Sequence, residues 1–212
     1  SGKLPVSIPR RTEDLPPFDD YRMTGRTYRF SDAAMYPFGF GLGYGAIALQ
    51  DFTVAYGAGG SGPSRSQREG QEPLRCPIPG RLFQERGGSA RRGATPLFGG
   101  PDEEQLTVTA SVENPGQRHT REVIQVYVSH PGTPEAPRYQ LCGVLPVTVA
   151  PGERKPVTLT VPLRWLTLVD DAGVRYLPES DMELVVGTSS PGGERLGAAV
   201  PLRRRLELTR TE

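Results

Sequence analysis

From residue 105 onward, hydrophobic side chains fall on every second position. Leu106, Val108, Ala110 and Val112 alternate with Thr107, Thr109 and Ser111, the period of a strand with one face on a core. Asn114-Pro115-Gly116-Gln117 signals a turn. In the next run, residues 122–129, Ile124, Val126 and Val128 point one way and Gln125, Tyr127 and Ser129 the other. A third run, 141–149, stops before Pro151-Gly152-Glu153. Val157, Leu159 and Val161 alternate with Thr158 and Thr160, and Met182, Leu184 and Val186 repeat the pattern before Gly187. Residues 47–56 read as one more strand. Short strands at this spacing predict a mainly β fold, an antiparallel sandwich of the immunoglobulin-like kind. Helical periodicity is found nowhere.

The opening 45 residues follow a different pattern. Leu4-Pro5-Val6-Ser7-Ile8-Pro9 is a short apolar run with prolines inside and at its end, which suits a strand at a sheet edge. Phe18, Tyr21, Tyr28, Phe30, Tyr36, Phe38 and Phe40 then follow with no alternation that would bury them in an element of their own. Such a segment has to lie across something else, because that many aromatic rings are costly to leave in water. Residues 57–104 differ again. They are dominated by Gly, Ser, Pro, Arg and Gln and predict a mobile insertion. A basic tether for an acidic partner is weighed there against a plain solvated insertion, and the second reading is preferred because the charge is dilute.

Composition narrows the functional classes. The chain has 212 residues, 25 basic against 24 acidic, with 26 Gly and 22 Pro. A net charge of +1 gives no electrostatic footprint for nucleic acid or an anionic membrane, and no apolar run is long enough to span a bilayer. The first residue is Ser, with no basic-then-apolar leader after it, as expected of a cut or processed end. Cys76 and Cys142 are the only cysteines. They match no zinc pattern, and two incidental thiols are favoured over a disulfide. No cofactor or metal site is expected. Gly39-Phe40-Gly41-Leu42-Gly43 precedes no helix, so it makes no nucleotide cradle. Asp19-Asp20 and Asp170-Asp171 are adjacent pairs, but neighbouring residues on an extended chain project to opposite faces and cannot flank one glycosidic bond. Asp170-Asp171-Ala172-Gly173 reads as a hairpin turn. Trp165, beside Leu163 and Leu166, is expected to pack in the core or at its rim.

Several stretches resemble the C-terminal end of glycoside hydrolase family 3, the β-glucosidases, β-xylosidases and relatives. They are Gly2-Lys3-Leu4-Pro5-Val6-Ser7-Ile8-Pro9, Gly25-Arg26-Thr27-Tyr28-Arg29-Phe30 and Tyr36-Pro37-Phe38-Gly39-Phe40-Gly41-Leu42-Gly43-Tyr44. Val112-Glu113-Asn114-Pro115-Gly116, Pro151-Gly152-Glu153 and Val186-Gly187-Thr188-Ser189-Ser190 continue the likeness. The resemblance implies that residues 1–45 are the extended remnant of an α/β sandwich domain and its linker. Residues 46–212 would be a fibronectin type III-like domain interrupted by the insertion. Gly43 and Gly45 depart from the small hydroxylated residues common there. No stretch matches the family's nucleophile or acid/base motifs, so the resemblance implies a non-catalytic region whose partners are the barrel and α/β domains. Carbohydrate is a further possible partner. Arg26, Tyr28, Arg29, Tyr36, Phe38 and Phe40 are the candidate interface or cleft-rim residues, with interface packing weighed above contact with substrate. Residues 4–8 would be a strand whose neighbours are not in this molecule, and residues 1–35 are expected to be poorly ordered alone. A free-standing immunoglobulin-like binding module and one half of a split glycosidase are the alternatives.

Overall fold

The computed structural model describes residues 2–31, 33–57, 74–79, 104–134, 136–171, 173–178 and 181–211. Two short strands open the chain, β1 (Ile8–Pro9) and β2 (Ala34–Tyr36). The sandwich follows as β3 (Ala48–Gly57), β4 (Leu74–Pro79), β5 (Gln105–Glu113), β6 (Thr120–Ser129), β7 (Gln140–Val149) and β8 (Arg154–Pro162). A small hairpin, β9 (Leu168–Val169) and β10 (Arg175–Tyr176), precedes β11 (Met182–Gly187) and β12 (Leu202–Thr211). One sheet has the order β4-β12-β11-β6-β7 and the other β3-β5-β8. All pairings in both sheets are antiparallel except β12 with β4, which is parallel.

The alternating residues meet between the sheets. Leu106, Val108, Ala110 and Val112 of β5, Ile124, Val126 and Val128 of β6, and Met182, Leu184 and Val186 of β11 all belong to one buried cluster. The six expected strands of the sandwich are therefore present. The Asp170 turn is also as expected: Gly173 N–H donates to the Asp170 carbonyl at 2.9 Å, and Gly173 takes the positive φ of +78° that such a turn demands.

Two strands escape the alternation rule. In β12, Arg203, Arg204 and Arg205 hide the pattern; among residues 202–207, Leu206 is fully buried and Leu202 partly so. Arg204 shares their face and donates Nε to the Phe52 carbonyl at 3.3 Å, so a guanidinium stands where alternation looks for an aliphatic group. β4 lies within the 57–104 stretch and takes a sheet edge beside β12. The rest of that stretch, save Gly57 and Glu104, lies outside the described residues. Cys142 is a buried free thiol that donates to the Val126 carbonyl at 3.2 Å, and burial pushes it up to about 12. An incidental thiol, not a cystine, is what the structure holds at this position.

The opening strand is not an orphan. β1 pairs with β2, and Leu4 N–H donates to the Phe40 carbonyl at 2.9 Å while its own carbonyl accepts from Gly39 N–H at 2.8 Å. This corrects the expectation that residues 4–8 lack neighbours: the chain doubles back within 35 residues and supplies them. Residues 10–24 are nearly all exposed, whereas Pro37, Gly39 and Phe40 are buried.

Candidate functional site: a strapped sheet face and the cleft beside it

Strand β6 is buried on both sides. Its outward face carries Gln125 and Tyr127, the latter with 0% exposure, and β11 adds Val185 opposite Tyr127. The cover comes from the leading segment. Tyr28 stacks on Phe38 with ring centroids 4.2 Å apart and meets Tyr127 edge-on at 6.0 Å. Gln125 satisfies a buried amide completely: Nε2 donates to the carbonyls of Gly39 and Thr188, each at 3.0 Å, and Oε1 accepts from the Tyr127 hydroxyl. Burial raises the Tyr127 hydroxyl above the ordinary phenol range, with smaller contributions from Tyr28 and Cys142, so it stays a neutral donor.

Backbone and charge fasten the same strap. Ser190 N–H donates to the Phe38 carbonyl at 2.9 Å, and Arg138 N–H to the Arg29 carbonyl at 2.6 Å. Lys3 bridges Glu122 at 2.6 Å and donates to the Thr188 carbonyl at 2.8 Å. Two glycines make the close approach possible. A Cβ on Gly39, which has φ of +74°, would lie 2.1 Å from Gln125 Oε1, and one on Gly45 would lie 1.8 Å from Thr120 Oγ1. A hydroxylated side chain at position 45 has no room here.

The six candidate residues separate by position. Tyr28, Phe38 and Phe40 form the strap, with Tyr36 half-exposed and stacked on Phe40 at 6.1 Å. Arg26 stays inside the leading segment, where Nη2 donates to the carbonyls of Pro17 at 2.9 Å and Asp20 at 2.6 Å. Arg29 instead reaches the sandwich and donates Nη2 to Gln140 Oε1 at 2.7 Å.

Tyr28 and Arg29 also line a cleft of about 980 Å³. Its other walls come from the stretch before and at the start of β7, from the turn at Trp165 and from the β9–β10 hairpin, including Gln140, Asp171 and Arg175. Gln140 ties the walls together, since its Nε2 donates to the Trp165 carbonyl at 3.0 Å while its Oε1 holds Arg29. Leu141 N–H donates to the Tyr28 hydroxyl at 3.1 Å. Trp165 closes a 3-10 turn, Leu163–Leu166, whose two leucines are fully buried while the indole remains 43% exposed. The tryptophan is thus a rim residue. Gln140 and Arg175 carry no signal in the sequence, and Asp171 signals only a turn, because the cleft joins three segments far apart in the chain.

Among the described residues the carboxylates with shifted pKa values move downward. The Arg22 hydrogen bond holds Asp20 below the usual carboxylate range, and the Ala150 N–H does the same for Glu153. A general acid needs the opposite shift. Burial takes His130 down to about 4. Among the described residues no three His, Cys, Asp or Glu side chains converge as a metal would require, and no helix is long and apolar enough to cross a membrane.

Comparison with known proteins agrees with this architecture. Residues 122–190 match the fibronectin type III-like domain. The chain is 30% identical over 182 residues to a periplasmic β-glucosidase of Salmonella typhimurium, covering 78% of this chain and 18% of that protein. It is 24% identical over 190 residues to a xylan 1,4-β-xylosidase of Xylanibacter ruminicola, covering 89% and 17%. Among solved structures, a β-glucosidase of Chaetomella raphigera aligns over 98% of this chain and 26% of its own, at 25% identity and a TM-score of 0.65. The family 3 β-glucosidase of Bifidobacterium adolescentis aligns over 97% and 26%, at 22% identity and a TM-score of 0.60, a likeness of fold. The chain spans about a fifth of the length of the curated relatives it matches. Residues 122–190 are a fibronectin type III-like domain, in a chain related to the family 3 glycoside hydrolases, the β-glucosidases and β-xylosidases.

Proposed function

We propose that this chain is the non-catalytic accessory region of a family 3 glycoside hydrolase and that it braces the domains which cleave β-linked glucosides or xylosides. The observation that carries the reading is the strap. Residues 27–41 are fastened to the sandwich by the Tyr28–Tyr127 ring contact and by backbone hydrogen bonds, and Lys3, beside them, pairs with Glu122. A segment held this way transmits position rigidly from the sandwich to whatever it joins. The adjoining stretches are largely charged or polar but leave three aromatic rings uncovered. Phe18 is 94% exposed, Tyr21 88% and Tyr44 98%. Each ring covered by another domain would contribute roughly 1.5–3 kcal/mol. The barrel and α/β domains supply that cover in this reading, and residues 1–45 are the end of the second of them.

The test is a chimera. This chain replaces the matching region of the Salmonella β-glucosidase, and its thermal midpoint and aryl-glucoside turnover are compared with those of the enzyme lacking the region. The reading expects the chimera to recover stability and turnover lost in the deletion, and the 212-residue chain alone to turn over nothing. A chimera no better than the deletion, or turnover by the chain alone that a carboxylate substitution abolishes, contradicts it.

A further inference from the structure

The cleft beside the strap is more than bracing requires. It is a concave site of about 980 Å³ whose walls are already held in place by Gln140, which joins Arg29 on one side to the Trp165 backbone on the other. Its floor is aromatic, with Tyr28 half-buried and Tyr176 buried, and its rim presents an indole that remains 43% exposed. The Arg164 guanidinium lies over that indole, 5.6 Å from the ring centre. The charged groups on the walls balance, Arg29 and Arg175 against Asp170 and Asp171. That balance disfavours a phosphate or an amine and suits a neutral ligand. Arg29 Nε is buried without a hydrogen-bond partner among the described residues, a donor in want of an oxygen. Arg175 Nη1 is held by Thr167 at 3.3 Å, and Asp171 stands exposed at the turn of the β9–β10 hairpin.

We propose that this cleft binds a neutral oligosaccharide, with the apolar face of one pyranose on Trp165 and its hydroxyls between Asp171, Arg175 and Arg29. A sugar is the ligand class whose two sides match such walls. Its C–H face lies flat on an aromatic ring, and its hydroxyls both donate to carboxylates and accept from guanidinium groups. An apolar peptide would make no use of the charged groups at the rim, Asp171 and Arg175. The site goes beyond the bracing role, and only the choice of β-linked probes rests on that reading.

Trp165 is the only tryptophan in the chain, so selectively excited tryptophan fluorescence reports on this cleft alone. The 212-residue chain is titrated with cellotetraose and, separately, xylotetraose, with polyethylene glycol as the control. The expected result is a saturable change in Trp165 emission with at least one sugar and none with the glycol. By calorimetry, Trp165→Ala should weaken binding about tenfold, the loss of one stacked ring contact. Asp171→Asn should weaken it by a smaller factor. Both positions are exposed, so both variants should keep the native thermal midpoint. The absence of a saturable change with either sugar overturns the proposal, as does undiminished affinity in both variants. Neither result bears on the chimera, whose readout is stability and turnover.

Discussion

The two faces of β6 are equally dry, yet they are built from different chemistry. Toward the opposite sheet stand Ile124, Val126 and Val128, aliphatic side chains in a cluster supplied by both sheets. Toward the outside stand Gln125 and Tyr127, buried just as deeply but under a strap from the first 45 residues. The inner face is stabilised by area removed from water, which is non-directional and tolerant of shape. The outer face depends on a closed set of hydrogen bonds among Gln125, Tyr127, Gly39 and Thr188. Such a set is worth little net when complete and is costly when one member is lost. The difference separates a core that makes the domain fold from a joint that fixes where its leading segment sits.

Substitutions on the two faces should therefore fail differently. Leu184→Ala opens a cavity in the core and should cost about 2–5 kcal/mol, read as a lower urea midpoint by every probe of folding. Gly39→Ala should cost less, about 1–3 kcal/mol, through its positive φ and the clash with Gln125. Its distinguishing mark is loss of amide protection at Leu4, Phe40 and Ser190 while β5 and β8 keep theirs. An even loss of protection across both sheets would erase the distinction between core and joint.

A smaller effect concerns His130, buried just beyond the end of β6 with Nδ1 unpartnered among the described residues. Its pKa falls from 6.5 to about 4 because burial penalises the charged ring, partly offset by a hydrogen bond to the Leu166 backbone. The unfolded chain then binds the proton first. Stability from this group is intact above about pH 6.5 and is lost as pH falls from there through about 4. By pH 5 the loss should be about 1–2 kcal/mol. His130→Phe should flatten that part of the pH–stability curve, leaving the acid loss that Asp20 and Glu153 cause at lower pH. The smallest effect belongs to Phe18→Ser with Tyr21→Ser. On the chain alone it should stay within about 0.5 kcal/mol, whereas in the Salmonella chimera it should lower the thermal midpoint.

What the sequence made legible follows from the range of each interaction. Alternation reports a face turned toward a core, so β3, β5, β6, β7, β8 and β11 could be read from their own residues. β12 could not, since three arginines directly follow its first residue and interrupt the alternation that Leu202 and Leu206 would otherwise show. Gln125 and Tyr127 looked like a solvent face because their cover comes from residues more than 80 positions away. The need for cover was visible from the other side, in aromatic residues with no element of their own. Tyr28, Phe38 and Phe40 meet that need within the chain, while Phe18, Tyr21 and Tyr44 do not. The cleft was illegible for a similar reason: Gln140 at the head of β7 becomes a bridge only once Arg29 and Trp165 have been brought to it.

Amide hydrogen exchange on the 212-residue chain tests the strap most directly. If the leading segment is a layer of the domain, the amides of Leu4, Gly39, Phe40 and Ser190 should exchange as slowly as those of β6, while residues 10–24 exchange freely. Coil-like exchange at those four amides alongside a protected β6 would mean that the sandwich folds without its strap, and the brace would have no rigid joint through which to act.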